Sequence, residues 1–366
     1  MLVDIKAPFV AAEIPLPLND YGVICYFTEH SSQTAGSACD AGINSKISAL
    51  GEYLERDFLY HGVPSKGKCS VTELSKQELA LLPFPASFQH FDYVTVEPLM
   101  ASGTLRIPRS LISLNTSDDA DTHFRDTSGC ALGRDQAHAR LSASLEFIER
   151  QSLIISWHTQ SYQARLSHAE ILDSCEGKKK KLFERFTRSG KVVMLLNTLP
   201  GVSCYSGVML YRSGREVKYA VSSACALTLS GLVNKLVAEM WQSYLFIYNN
   251  LGADRAIERD YYKAHFLSMN QPETFELWGE DLSCLPTITP QKCPDYTPEA
   301  FYHSLSTLDA RLYSYQEQTQ DGFWFCKFLS PDFFPHMSAA HISGIPDYCR
   351  DAFNIHVLRE IEIPFP

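Results

Sequence analysis

The chain has 366 residues, of which 45% are apolar, 12% aromatic and 20% charged, as in a globular protein. Its 42 acidic and 32 basic residues give a net charge of −10, which argues against nucleic acid as a partner because phosphate binding requires a basic surface. No run approaches the roughly 18 apolar residues of a membrane-spanning helix, and the acidic N-terminus with its early prolines is unlike a secretory signal. We therefore expect a cytoplasmic protein that does not bind a membrane.

Amphipathic helices and strand-like runs alternate along the chain. This interleaving predicts a mixed α/β fold rather than a helical bundle or a β-sandwich. The four lysines at residues 178–181 are expected to form a solvated loop or the start of a helix. In chain order, the predicted elements are strand 21–27, helix 47–60, strand 93–99, helix 136–157, strands 192–197, 208–211 and 217–221, and helix 232–249.

The eleven cysteines indicate neither a disulfide framework nor a zinc site. Their number is odd, their spacing is scattered, and no C-x-x-C pair occurs. We expect most of them to be reduced thiols that pack as small core residues.

Two segments of the chain repeat one pattern. Residues 48–56 read SALGEYLER and residues 142–150 read SASLEFIER, so both fit S-x-x-x-E-x-x-E-R. A third helical segment, KLVAEMWQS at residues 235–243, places Glu239 and Gln242 three residues apart. The repetition suggests that the two halves of the chain are related by duplication.

Each of these helices presents a pair of side-chain oxygen ligands on one face, because residues three apart lie about 5–6 Å from each other. For one helix alone, an i, i+4 ion pair with the following arginine explains the pattern. If the three helices converge, however, carboxylates about 4 Å apart repel by roughly 4 kcal/mol per pair. Mg²⁺ relieves such repulsion and usually brings phosphate oxygens with it. The pairs are Glu52 with Glu55, Glu146 with Glu149, and Glu239 with Gln242.

A glycine-containing segment precedes the second helix. Residues 126–133 read DTSGCALG and lead into a helix expected to begin near Asp135. Small residues before a helix N-terminus let backbone N–H groups approach an anion, so we expect a phosphate-binding loop here. The segment is neither a P-loop nor a Rossmann fingerprint.

Taken together, these segments resemble the YcaO family. The resemblance rests on DTSGCALG followed by LEFIERQ, on the earlier SALGEYLER, and on the later AEMWQS. Finer matches are similar to the cyclodehydratase subunit of microcin-B-type thiazole/oxazole synthetases: IERQSLIISW at 148–157, EMWQSY at 239–244, SPDFFPHM at 330–337 and the terminal PFP. The resemblance covers residues 36–366.

The resemblance implies a YcaO fold with two pseudo-related halves, in which sheets are flanked by helices and a cleft for ATP and Mg²⁺ lies between them. By motif position, the expected metal ligands are Glu52, Glu55, Glu146, Glu149 and Glu239. The residues expected to contact ATP are Ser48, Glu52, Gly133, Glu149, Arg150 and Gln242.

The implied reaction is ATP-dependent cyclodehydration. A Cys, Ser or Thr side chain of a ribosomally made precursor peptide attacks the preceding amide carbonyl. ATP then phosphorylates the hemiorthoamide oxygen, and phosphate leaves as the thiazoline or oxazoline forms. The enzyme's part in such a reaction is positioning and charge neutralisation.

In azoline-forming members, a proline-containing C-terminal tail reaches the active site, and residues 361–366 match that pattern. The resemblance implies catalytic roles for Pro364 and Pro366, with the terminal carboxylate a candidate base. An ordinary surface tail is the alternative.

Three positions depart from the usual family pattern. Ser37 lies within Gly-Ser-Ala where many members have G-K-G, Arg134 follows the loop glycine, and His138 replaces an acidic residue. The contacts to the triphosphate are therefore expected to differ in detail.

The resemblance also implies partners. Residues 1–366 are expected to form one YcaO-type domain with an N-terminal lead-in of about 35 residues, so a leader-binding, E1-like subunit and an FMN-dependent dehydrogenase must be separate chains of a synthetase complex. The alternatives are a YcaO enzyme that makes a thioamide or amidine, a non-catalytic YcaO scaffold subunit, and a metal-dependent hydrolase that uses no ATP.

Overall fold

The computed structural model describes residues 9–13, 22–28, 31–40, 43–82, 90–115, 125–251, 261–279, 281–288, 293–338 and 344–365. The chain divides into two compact units. The first unit comprises Met1–Ser144 and Tyr313–Phe328, and the second comprises Leu145–Leu312 and Leu329–Pro366.

The elements of the described chain alternate as expected for a mixed α/β protein. The strands are β1 (Phe9–Glu13), β2 (Gly22–Thr28), β3 (Ser31–Asp40), β4 (Lys68–Ser70), β5 (His90–Pro98), β6 (Leu105–Pro108), β7 (Cys130–Gly133), β8 (Ala164–Leu166), β9 (Lys191–Leu196), β10 (Tyr205–Arg212), β11 (Tyr219–Ala226), β12 (Tyr313–Gln318) and β13 (Trp324–Leu329). The α-helices are α1 (Ile43–Asp57), α2 (Lys76–Leu79), α3 (Gln136–Thr159), α4 (His168–Ser174), α5 (Lys178–Ser189), α6 (Leu229–Asn249), α7 (Tyr261–Ser268), α8 (Pro298–Ser306) and α9 (Asp347–Phe353).

The first unit contains two sheets. One is the antiparallel sheet β1-β2-β3, and α1 packs closely against β3. A Cβ at Gly36 of β3 would lie 2.1 Å from the Ala49 carbonyl oxygen, so only glycine permits this approach. The other sheet has the order β4-β5-β12-β13-β7, with β6 paired to β5.

An ion pair between buried Glu78 and half-buried Arg106 joins α2 to β6 in the first unit. Glu78 is 5% exposed, and its carboxylate accepts hydrogen bonds from Arg106 Nε at 2.9 Å, from the Arg106 amide at 2.8 Å and from the Ser75 amide at 2.7 Å. Burial alone would raise the pKa of Glu78, but these hydrogen bonds prevail and lower it to about 2. The ionised form is therefore favoured in the folded protein.

We expect Glu78→Gln to destabilise the protein by roughly 1.5–3 kcal/mol at pH 7, because it removes the charge that strengthens the hydrogen bonds of this buried group with Arg106. The stabilisation by ionised Glu78 is complete above pH 4.5 and is lost as the pH falls towards about 2. Urea unfolding measures the free energy of unfolding of the unchanged protein and of Glu78→Gln. The difference between the two should therefore shrink as the pH falls through this range. As the control, Asp347→Asn breaks the exposed Arg350 pair on α9 and should cost less than about 1 kcal/mol. An equal cost for the two variants would contradict the prediction.

The second unit is built around the antiparallel sheet β11-β10-β9-β8. Gly207 of β10 lies against α6, because a Cβ there would meet the Leu232 and Leu236 side chains at 3.2 and 3.4 Å. Every residue of β11 is buried. In the register of the two strands, Tyr211 pairs with Ala220 and Arg212 with Tyr219. Since successive side chains alternate between faces, Tyr211 and Tyr219 lie on opposite faces of the sheet.

The predicted mixed α/β class is confirmed. The three motif-bearing helices form, with somewhat different bounds. The first begins earlier than expected, at Ile43, and passes at Phe58–Gly62 into a π-helical turn; the third begins at Leu229, where the Thr228 hydroxyl accepts from the Gly231 amide. The lysine run starts helix α5.

One local prediction is wrong. Residues 126–133 were expected to form a loop throughout, but Cys130–Gly133 is strand β7, paired with β13.

Cysteines with described surroundings are free thiols, and all but Cys284 and Cys293 are buried. The expectation of reduced core cysteines is confirmed for this part of the chain. Among the helices of the described residues, none has the length and apolar character required to span a bilayer.

Candidate functional site

The first acidic helix edge lies on α1 in the first unit. Glu52 forms an ion pair of 2.7 Å with Arg56, which is the i, i+4 pair read from the sequence. Glu55 instead accepts a hydrogen bond of 3.2 Å from the Leu132 amide of β7. The two glutamates thus have different environments, although they lie on one helix face.

Burial and, to a lesser extent, the neighbouring Glu52 carboxylate raise the pKa of Glu55 to about 7. Arg56, the Leu132 amide and Lys327 act in the opposite direction but do not restore the ordinary value. This position is therefore short of positive charge near neutral pH. A bound cation would supply that charge, so the donor set fits Mg²⁺.

The second acidic edge lies on α3, within the second unit. Glu149 is 8% exposed, and burial raises its pKa, with Arg150 and Lys235 acting in the opposite direction. The Arg150 guanidinium lies 3.5 Å from a Glu149 oxygen and 3.7 Å from a Glu146 oxygen. One arginine is thus shared by two carboxylates. Its single positive charge does not neutralise both, so a divalent cation would be favourable here as well.

The third edge lies on α6, also in the second unit. Glu239 and Gln242 are both half-buried. One helical turn before Glu239, Lys235 donates a hydrogen bond of 3.0 Å from Nζ to the Cys225 carbonyl oxygen at the end of β11. Lys235 is the site residue that sequence reasoning missed. The available signal was its position four residues before the glutamate, on the same helix face.

The segment before α3 has structural roles that its sequence did not reveal. The Asp126 carboxylate accepts hydrogen bonds from the Ser128 amide and hydroxyl, each at 3.0 Å. A Cβ at Gly133 would lie 2.5 Å from the Ala139 amide nitrogen, so glycine is required for the packing of β7 against the first turn of α3. The Leu132 amide is already engaged by Glu55. Contact of this segment with phosphate stays a prediction.

The C-terminal tail is held inside the second unit. Ile363, Pro364 and Phe365 are buried, and the Pro364 carbonyl oxygen accepts a hydrogen bond of 2.9 Å from Tyr219 Oη. The Phe365 ring lies under Arg150, whose guanidinium carbon is 5.1 Å from the ring centroid. The second predicted catalytic residue, Pro366, lies outside the described residues.

The second unit therefore brings together Glu146, Glu149, Arg150 and the tail. Ser48 on α1 is exposed. Arg134 and His138, near the start of α3, are also exposed. The side chain of Ser37 is not among those that the structure describes. Within the described part of the chain, no group of three or more His, Cys, Asp or Glu side chains is gathered as a metal site. Convergence of the three acidic edges stays a prediction.

We expect Lys235→Met to weaken ATP binding about 10-fold, because it removes a positive charge from the vicinity of Glu149, where phosphates are expected. Lys180→Met is the matched control, since it removes the same charge from α5. The measurement is the ATP dependence of ADP release. Equal affinities for the two variants would show that Lys235 serves only the Cys225 carbonyl.

Comparison with known proteins places the chain in a family. Residues 41–331 match the YcaO family, described as a cyclodehydratase that binds ATP and Mg²⁺. The chain is 26% identical over 369 residues to the microcin B17-processing protein McbD of Escherichia coli, covering 91% of this chain and 90% of that protein.

Two solved structures share the fold. One is the E. coli microcin synthetase McbBCD complex, also solved with pro-MccB17 bound, at a TM-score of 0.80 and 22% identity over 100% of this chain and 98% of that chain. The other is YcaO from Methanopyrus kandleri bound with AMPPCP and Mg²⁺, at a TM-score of 0.66 and 12% identity over 93% of this chain and 89% of that chain. The family match spans most of the chain, and the buried carboxylates of α1 and α3 suit the ligands that the family binds. The chain belongs to the YcaO family and is an ATP-dependent, Mg²⁺-binding cyclodehydratase.

Proposed function

We propose that this cyclodehydratase converts Cys, Ser or Thr residues of a ribosomally made precursor peptide into thiazoline or oxazoline rings. The observation that carries the proposal is that the acidic edge of α3 and the C-terminal tail lie together in the second unit. Arg150 contacts both Glu149 of that edge and Phe365 of the tail. The similarity to a microcin B17-processing protein supports a peptide substrate.

The proposed chemistry balances without an oxidant. The side-chain sulfur or oxygen adds to the preceding amide carbon, and its proton is removed, which gives a hemiorthoamide. The γ-phosphoryl group of ATP passes to the former carbonyl oxygen, because that oxygen leaves readily only as phosphate. The nitrogen then loses its proton, and the C=N bond of the azoline forms as the C–O bond breaks and phosphate departs. The net products for each ring are azoline, ADP and phosphate.

We assign the residues by their charge. Glu52, Glu55, Glu146, Glu149 and Glu239 would hold Mg²⁺, which supplies charge neutralisation of the triphosphate. Arg150, Lys235 and Gln242 would contact phosphate or orient it, with Ser48 and Gly133 close by. Pro364 and Pro366 would hold the terminal carboxylate beside the reacting amide, where it removes the proton.

We propose that the chain works in the cytoplasm within a complex. A leader-binding, E1-like subunit would deliver the precursor peptide, and a dehydrogenase carrying FMN would oxidise azolines to azoles. The similar solved structures are a microcin synthetase McbBCD complex and the same complex with pro-MccB17 bound, which supports partner subunits and a peptide substrate. Flavin is assigned to the partner rather than to this chain.

Mass spectrometry of a precursor peptide incubated with the complex, ATP and Mg²⁺ tests the proposal. We expect the mass of one water to be lost for each ring, with one ADP released. The matched control is the same mixture with a non-hydrolysable ATP analogue, which should give no loss. An exchange of oxygen for sulfur would indicate a thioamide product, and a cleaved or unchanged peptide without release of ADP would indicate a metal-dependent hydrolase that uses no ATP. Either result would overturn the proposal.

A further inference from the structure

The start of the C-terminal tail and the residues just before it contact Trp157 of α3. The indole Nε1 donates a hydrogen bond of 3.0 Å to the Ile361 carbonyl oxygen. The Arg359 guanidinium carbon lies 4.0 Å from the centroid of the Trp157 ring, and Arg359 also donates to the Leu277 carbonyl at 2.9 Å. These contacts fix the approach of the tail without reaching its prolines.

Tyr219 of β11 anchors the other end of the tail. Its hydroxyl lies 2.9 Å from the Pro364 carbonyl oxygen and 2.8 Å from Trp278 Nε1. An indole N–H is only a donor and a carbonyl oxygen is only an acceptor. The Tyr219 oxygen therefore accepts from Trp278, and its single hydrogen is directed at Pro364.

The hydroxyl of this anchor is buried and favours its protonated form. Tyr219 and Trp278 are both fully buried, and the Tyr162 hydroxyl donates to the Trp278 carbonyl oxygen at 3.0 Å. Burial raises the pKa of Tyr219 far above its ordinary value, although the Trp278 hydrogen bond acts in the opposite direction. The hydroxyl is therefore a constant donor over the whole working pH range.

Beyond Pro364, the tail continues towards the acidic edge of α3, where we propose that nucleotide binds. Phe365 packs under Arg150 at 5.1 Å, and Arg150 lies 3.5 Å from Glu149. The position of the Pro364 carbonyl therefore determines where Phe365 lies relative to the acidic edge of α3.

We propose that Tyr219 is a positioning residue for ring formation, acting through its hydrogen bond to the Pro364 carbonyl. The inference rests on the proposed function, because it assumes that the tail takes part in the reaction. A reacting group that moves by about 1 Å can lose on the order of 100-fold in rate. The hydroxyl thus matters for the rate of ring closure and not for nucleotide affinity.

Tyr219→Phe tests the proposal, since it removes the hydroxyl and keeps the ring. We expect kcat for ring formation to fall about 10-fold or more, while the KM for ATP stays unchanged. We also expect faster hydrogen–deuterium exchange in the C-terminal peptide. There the Phe365 amide donates to the Ile363 carbonyl at 2.8 Å in the anchored tail. The exchange measurement reports tail release without depending on activity.

Tyr211→Phe is the matched control. Tyr211 is also fully buried and lies on the neighbouring strand, but it faces the opposite side of the sheet and its hydroxyl lies 2.9 Å from the Ser189 hydroxyl. Loss of this hydrogen bond should lower the melting temperature about as much as Tyr219→Phe does, without changing kcat or exchange in the tail.

Two results would overturn the inference. The first is a Tyr219→Phe protein with normal kcat, whether its tail is released or retained. The second is an equal loss of kcat in both variants, which would indicate general destabilisation. Failure of the proposed function is distinguishable, because the unchanged protein would then form no rings under the same conditions.

Discussion

The protein with Glu149→Gln should be at least as stable as the unchanged protein in the absence of nucleotide, yet almost inactive. Glu149 is buried, and burial raises its pKa. The folded protein therefore favours the neutral form of this side chain, which glutamine mimics. Substitutions that remove such an unfavourable feature commonly raise the free energy of unfolding by about 0.5–2 kcal/mol. Ring formation should fall on the order of 100-fold or more, because even partners of metal ligands contribute 10–100-fold.

The sign of the pH dependence follows from the same shift. A group whose pKa is raised in the folded protein favours folding at low pH, where it is protonated in both states. Its contribution becomes unfavourable as the pH rises through the ordinary value of 4.5 towards the raised value. The stability gain of Glu149→Gln should therefore grow with pH over that interval. Thermal unfolding at several pH values, without nucleotide, measures this difference.

Addition of ATP and Mg²⁺ should reverse the order of stability. Ligands that bind only the folded state stabilise it according to their affinity, so the unchanged protein should gain more than the variant. Glu184→Gln is a suitable control, because Glu184 forms a long, exposed ion pair with Arg188 on α5. A Glu149→Gln protein that is stabilised by the nucleotide as much as the control would show that Glu149 does not hold the metal.

The motif helices were predictable because their signal is local. Acids and apolar residues at helical spacing define α1, α3 and α6, and the repeated S-x-x-x-E-x-x-E-R pattern identifies the acidic edges of α1 and α3. The start of α6 was placed three residues late because the hydroxyl of Thr228, outside the periodic pattern, supplies the cap. Lys235 was overlooked for a related reason, since an exposed lysine on a helix is usually only solvated.

Features that depend on distant pairing were beyond sequence reasoning. Gly133 was interpreted as part of a phosphate loop, but it also permits the packing of β7 against Ala139. Strands β12 and β13 complete a sheet of the first unit although 179 residues lie between the end of β7 at Gly133 and the start of β12 at Tyr313. The Tyr219 to Pro364 bond joins residues 145 positions apart. No periodicity or propensity signals such contacts, because only the folded chain brings the partners together.

Deletion of residues 364–366 should abolish ring formation while nucleotide binding is largely retained. The deletion removes the acceptor of the Tyr219 hydroxyl and the ring that stacks against Arg150, and it moves the terminal carboxylate three residues back. We expect kcat for ring formation to fall by on the order of 100-fold or more. The carboxylates of α1, α3 and α6 remain, so the affinity for ATP with Mg²⁺ should change less than about threefold.

Smaller changes at the C-terminus distinguish the position of the terminal carboxylate from the identity of the tail residues. Deletion of Pro366 alone leaves the Pro364 and Phe365 contacts in place but removes the last proline ring and moves the carboxylate. An extra glycine after Pro366 keeps that ring and displaces the carboxylate, so a large loss in both variants would identify the carboxylate as the group that reacts. Val357→Ala, at a position that is 79% exposed before the tail, is the control and should leave kcat unchanged. Normal ring formation after loss of all three residues would mean that the tail is only a buried end, and that the base lies elsewhere in the protein.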